Sequence, residues 1–149
     1  MKIERTILIK KSRDEVFSYL KLTKNQDNFS VWNMTDPSMS KKYSGVDGTI
    51  GFIYSWDSTN KNVGAGEQEI KAIESGKKIE FEVRFFRPMK NTGKVYFLLS
   101  ESSNEGTIVT WIFDSPSKFP FVLFAPIFKR MLGKDLENGL TNLKKILEE

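Results

Sequence analysis

From Ser38 to Asp114 the chain alternates apolar and polar residues in six extended segments, and this run constrains the fold more than any other feature. The segments are Ser38–Ser44, Thr49–Asp57, Gly64–Glu74, Lys78–Phe86, Thr92–Ser102 and Gly106–Asp114, divided by turns containing glycine or asparagine. Turns this short join antiparallel strands, because a parallel pair needs a crossover of a dozen residues or more. A sheet with one apolar face needs a cover. The segment Ile127–Glu149 supplies it: Phe128, Met131, Leu132, Leu136, Leu140, Leu143 and Leu147 recur at steps of three and four, the stripe of a long amphipathic helix.

Ahead of the sheet, Lys2–Lys10 reads as a strand with Ile3, Ile7 and Ile9 on one face and Arg5 as the interruption of that face. Ser12 and Glu15 form the S-x-x-E pattern in which the hydroxyl caps a backbone N–H and the carboxylate reaches back to the cap residue, so a helix begins there and buries Val16, Phe17 and Leu20. Lys24–Asn33 reads as a second short helix with Phe29 and Trp32 facing inward. In the terminal helix, Gly133 and Gly139 each cost about 1 kcal/mol relative to alanine, which points to a close approach or a bend.

One hairpin permits counting. A two-residue Gly76-Lys77 turn would set Ala72 opposite Phe81, Ile70 opposite Val83 and Gln68 opposite Phe85, with Lys71 facing Glu82 and Glu69 facing Arg84 on the other side. On that register Glu67, Glu69, Glu80 and Glu82 belong to a solvated, partly paired face and not to a catalytic or metal-binding cluster. By the same parity Val95, Phe97 and Leu99 share one face of their strand, and Val109, Trp111 and Phe113 one face of the next.

At 149 residues, with twelve phenylalanines, the chain suits one domain spanning 1–149 with a substantial core. It contains no cysteine and no histidine, which removes disulfides, thiol nucleophiles, thiolate metal sites and the commonest general base. No metal or cofactor is expected. The net charge of +4 is spread over lysine pairs such as Lys10-Lys11 and Lys77-Lys78, without the dense stripe that nucleic acid demands, so no nucleic-acid partner is expected. Charges at Lys2, Glu4, Arg5, Lys10 and Lys11 break up any secretory signal and no segment reaches spanning length, so a cytoplasmic location is expected. The triplets Asn28-Phe29-Ser30 and Asn33-Met34-Thr35 are then coincidental matches to a glycosylation site, and Gly64-Ala65-Gly66 lacks the helix a dinucleotide fingerprint needs.

Several local motifs occur in a telling order. These are Ile9 followed by Ser12-Arg13-Asp14-Glu15-Val16-Phe17, Phe29 with Trp32-Asn33, Gly48, Tyr54-Ser55-Trp56, Gly64-Ala65-Gly66-Glu67, Phe86-Arg87-Pro88 and Gly106–Trp111, followed by Gly133-Lys134-Asp135-Leu136-Glu137-Asn138-Gly139-Leu140-Thr141-Asn142-Leu143-Lys144. Together they resemble the START/Bet v 1-like (SRPBCC) superfamily, in particular its bacterial polyketide cyclase/dehydrase-like branch, over nearly the whole chain. Leu136 departs from the phenylalanine of that pattern. The resemblance implies an α+β helix-grip fold: a curved seven-stranded antiparallel sheet wrapped around the C-terminal helix, with two short helices after the first strand.

It also implies a cavity between sheet and helix that binds a hydrophobic small molecule, for transport or sequestration. Strand parity and the terminal helix nominate Trp32, Tyr54, Trp56, Gln68, Phe81, Phe85, Phe97, Trp111 and Met131 as its lining, with Tyr54 and Gln68 as polar anchors. The residues display no recognisable catalytic constellation, so binding is expected ahead of catalysis. A metal-free cyclase or dehydratase acting on a hydrophobic substrate is the first alternative, since shaping a reactive chain needs little acid–base machinery. The second is a lipid carrier touching membranes through the unbroken apolar segment Phe119–Phe128, beside Lys118, Lys129 and Arg130. A buried lid is the plainer account of that segment. Monomer and homodimer are equally compatible with the sequence.

Overall fold

The computed structural model describes residues 1–116 and 125–149. Seven strands form one antiparallel sheet: β1 (Lys2–Ile9), β2 (Ser40–Ser44), β3 (Ile53–Asp57), β4 (Ala65–Glu74), β5 (Lys78–Arg87), β6 (Asn91–Ser102) and β7 (Gly106–Asp114). Their spatial order is β1-β7-β6-β5-β4-β3-β2, so every sequential pair from β2 to β7 is a neighbour and β1 closes the far edge beside β7. Helix α1 (Arg13–Leu20), a 3₁₀ helix (Thr23–Asn28) and α2 (Val31–Met34) follow β1, and α3 (Ala125–Glu148) ends the chain. This is the expected helix-grip architecture. The membrane-contact alternative rests on the segment Phe119–Phe128, of which residues 119–124 and the side chains of 125–128 lie outside the described residues. No helix among those described is long and apolar enough to cross a membrane.

Local chemistry accounts for the elements. The Ser12 hydroxyl accepts the Glu15 N–H at 3.2 Å, as expected, but the Glu15 carboxylate accepts from that same hydroxyl instead of reaching the Ser12 backbone. The expected second helix is split into a 3₁₀ turn and α2. Asp47, from the loop before β3, accepts the Thr23 and Lys24 N–H groups at 2.8 and 3.0 Å and so caps the 3₁₀ helix from a distance. With three residues per turn, Thr23, Gln26 and Phe29 then share a face, and all three are buried.

The β4–β5 register differs from the counted one. Three residues, Ser75 to Lys77, connect Glu74 to Lys78, and Lys71 bulges out between Ile70 and Ala72. The result sets Ile70 opposite Phe81, Gln68 opposite Val83, Gly66 opposite Phe85, Glu67 opposite Arg84 and Glu69 opposite Glu82. The charge reading of this face stands on different pairs: Arg84 bonds Glu67 at 2.9 Å, Glu69 at 2.8 Å and also Glu82, while Lys71 lies 3.6 Å from Glu69. The Arg84 hydrogen bond, with smaller help from Lys71, holds Glu69 below the usual carboxylate range. A depressed folded-state pKa adds stability above the unfolded value, which is lost as pH falls through the folded one. Arg84→Met is therefore expected to narrow the stability gap between the native chain and the variant as the solution is acidified below the carboxylate range, as read by urea midpoints at stepped pH.

Helix α3 lies against β1 and the concave face. Lys144 Nζ donates to the Leu8 carbonyl at 2.8 Å and to Glu148 at 2.6 Å, while the Glu148 carboxylate takes the Lys10 N–H at 2.8 Å. The two helix glycines mark close approaches. A Cβ on Gly133 would sit 2.3 Å from the Arg5 guanidinium, and one on Gly139 would sit 2.8 Å from the Trp111 ring. This explains Arg5: it faces the helix where no side chain stands in its way, and it bonds Glu137 at 2.8 Å.

Candidate functional site

Between the concave sheet, α2 and α3 lies a cavity of about 90 Å³. Its aromatic wall comes from β3 (Tyr54, Trp56), β5 (Phe85), β7 (Trp111, Phe113) and α2 (Trp32), and its helical wall from Leu132, Asp135 and Leu136 of α3. The volume is far below the roughly 300–1,000 Å³ of pockets enclosing drug-sized ligands. Most of the aromatic interior is therefore packing, and the open part suits a compact ligand.

The rings hold each other edge to face. Trp32, Trp56 and Phe85 form a triangle with centroids 6.5, 6.2 and 5.9 Å apart. Gly66 makes that arrangement possible, since any Cβ there would come within 2.8 Å of the Trp56 ring. The chain has three tryptophans, and all three line the cavity.

Six of the nine residues nominated from sequence line this space: Trp32, Tyr54, Trp56, Gln68, Phe85 and Trp111. Three do not. Phe81 and Phe97 lie on the concave face as parity requires, but both are completely buried in the adjoining core, against each other at 6.1 Å and, for Phe97, stacked on Trp111 at 5.0 Å. Met131 is 64% exposed on the outer side of α3, because the inward stripe there runs through Leu132, Asp135 and Leu136.

The two polar anchors are committed to neighbours. The Tyr54 hydroxyl donates to Asp27 Oδ1 at 3.1 Å, an oxygen that also accepts from Asn33 Nδ2 at 3.0 Å and pairs with Lys41 at 3.2 Å. Burial, reinforced by the Asp27 charge, pushes the Tyr54 hydroxyl well above the ordinary phenol range, so it remains a neutral donor. Tyr54→Phe removes one hydrogen bond without emptying space and is expected to cost about 0.5–1.5 kcal/mol in urea unfolding. Gln68 Nε2 donates to Gln26 Oε1 at 3.2 Å.

Gln26, Ser30, Asn33 and Asp135 also line the cavity, and none was nominated from sequence. Gln26 is 5% exposed, and its Nε2 is buried without a hydrogen-bond partner among the described residues. Asp135 has neither an ion-pair nor a hydrogen-bond partner among them, and burial pushes its carboxyl above the usual range. The arrangement offers a ligand an aromatic bed, one amide donor and one carboxylate.

The sequence matches no protein-family model and no curated protein. Solved structures do match. Protein MLL2253 from Mesorhizobium loti aligns with a TM-score of 0.72 at 13% identity, covering 99% of this chain and 96% of that one. The di-domain ARO/CYC StfQ from the steffimycin biosynthetic pathway gives 0.69 at 16% identity, over 99% of this chain and 50% of that one. The Aha1 dimer from Colwellia psychrerythraea gives 0.67 at 15% identity, over 99% and 96%. The chain shares its fold with these proteins, the helix-grip α+β architecture that its sequence motifs lead one to expect.

Proposed function

We propose that the protein binds a compact hydrophobic small molecule in the cavity between the sheet and α3, for transport or sequestration. The observation that carries this is Gln26: an amide donor buried at the cavity wall without a partner among the described residues is costly, and a ligand acceptor would satisfy it. Native mass spectrometry of the purified protein, with extraction of whatever co-purifies, is expected to reveal a stoichiometric adduct. A clean unliganded mass that persists through a thermal-shift screen of aromatics and lipids would overturn the proposal.

Asp135 favours a second reading, cyclase- or dehydratase-like chemistry on a hydrophobic substrate, and StfQ, which shares the fold, is a di-domain ARO/CYC. A carboxyl raised by burial is suited to passing a proton to a bound chain. On that reading Asp135→Asn abolishes product formation from a reactive ketide while leaving its binding intact.

A further inference from the structure

The cavity has a charge character that its apolar lining conceals. The protein carries a formal net charge of +4, yet no lysine or arginine lines the cavity among the described residues, and the chain has no histidine. The charged group in the lining is the Asp135 carboxylate, set on α3 between Leu132 and Leu136. Lys41, opposite Trp56 in the β2–β3 pair, is tied to Asp27 at 3.2 Å, and Arg5, which faces α3 at Gly133, is tied to Glu137 at 2.8 Å. Trp32, Trp56 and Trp111 line the same cavity, and the face of an indole is the negative pole of its quadrupole.

We infer that Asp135 makes the cavity selective by charge: it takes apolar rings that carry a hydrogen-bond donor, hydroxyl or ammonium, and rejects carboxylate-bearing amphiphiles such as fatty acids. The inference rests on the proposed ligand-binding reading and sharpens it. A ligand carboxylate entering this space would meet the partly buried Asp135 with no cation among the described lining residues to offset either charge. A donor-bearing ligand would instead give Asp135 the partner it lacks, while the same ligand's ring rests on the indoles. The cost of the unpaired carboxylate points the same way. Its raised pKa means that ionisation at neutral pH works against the folded state, so Asp135 contributes no stability there that would explain its place.

The test uses three probes that share a ring and differ in the end group: 2-phenylethylamine, 2-phenylethanol and phenylacetate. Because each tryptophan lines the cavity, its indole N–H resonance reports occupancy directly. The amine and the alcohol are expected to shift these resonances with affinities at least about tenfold above that of phenylacetate, the size of effect that like-charge juxtaposition produces. The ratio of amine to phenylacetate affinity is expected to collapse to within about threefold in Asp135→Asn. Amine ahead of alcohol would identify an organic cation as the preferred class, and the reverse order a neutral alcohol or phenol. Phenylacetate binding as tightly as the other two, or an unchanged ratio in Asp135→Asn, would overturn the charge selectivity and leave the binding cavity standing. If none of the three probes moves an indole resonance at millimolar concentration, the binding reading falls and the selectivity with it.

Discussion

Phe97→Ala is expected to cost about 3–5 kcal/mol of folding stability, measured as a drop in the urea midpoint at unchanged slope. Phe97 has no exposed surface, and its ring packs against Phe29 at 6.2 Å, Phe81 at 6.1 Å and Trp111 at 5.0 Å. Truncation removes the transfer energy of the ring and leaves a void that these neighbours, held by one another, cannot collapse to fill. Phe85 is the informative contrast. It lies on the same concave face but borders space that is already open, and it is only partly buried. Phe85→Ala should therefore cost distinctly less and should enlarge the cavity, with a measurable gain in affinity for bulkier aromatic probes. Equal losses at the two positions would mean that the interior is uniformly filled and that the cavity is ordinary packing.

That contrast also marks how far the sequence can be read. Alternation and turn residues locate each strand to within a few positions, because a period of two is dictated by the pleat and one face must be buried. The long helix was equally legible, and so were Leu132, Leu136, Leu140 and Leu143 of its inward stripe, but Met131, counted in that stripe, faces outward. Parity, however, gives only the side of the sheet. Phe81, Phe85, Phe97 and Trp111 all point the same way, and whether each meets a cavity or another ring depends on sheet curvature and helix placement, which no local pattern encodes. The β4–β5 register was beyond counting for a similar reason: the Lys71 bulge and the third turn residue each displace the pairing by one position.

The polar half of the site was the least legible. Gln26 sits in the polar run Asn25-Gln26-Asp27-Asn28, and only the 3₁₀ spacing of Thr23, Gln26 and Phe29 distinguishes it from its neighbours. Asp135 looks like any surface acid of an amphipathic helix, although its position between Leu132 and Leu136 on the apolar stripe is a usable signal. Arg5 gave the opposite lesson. An arginine interrupting the apolar face of a strand was visible, and so were the glycines of the last helix, but their complementarity emerges only when β1 and α3 are brought together.

The two helix glycines should accordingly respond in opposite directions. Gly139→Val is expected to cost about 1–3 kcal/mol, because its Cβ would stand 2.8 Å from Trp111 Cζ3 and 3.4 Å from the Phe29 carbonyl oxygen. Trp111 has nowhere to retreat: its ring is stacked on Phe97 and lies 5.6 Å from Phe29, edge to face. Because Trp111 also lines the cavity, its indole resonance should shift in the unliganded variant and its response to 2-phenylethylamine should weaken. At Gly133 the obstructing atom is the end of the Arg5 side chain, half-exposed and flexible, which can swing aside at the expense of its 2.8 Å bond to Glu137. An exposed pair of that kind contributes about 0–1 kcal/mol, while alanine gains about 1 kcal/mol over glycine in a helix interior. Gly133→Ala should thus be neutral or slightly stabilising and should leave the cavity resonances unmoved. A large loss at Gly133 would mean that Arg5 is fixed by more than its ion pair, and a neutral Gly139→Val would mean that α3 stands farther from Trp111 than a cavity roofed by this helix requires.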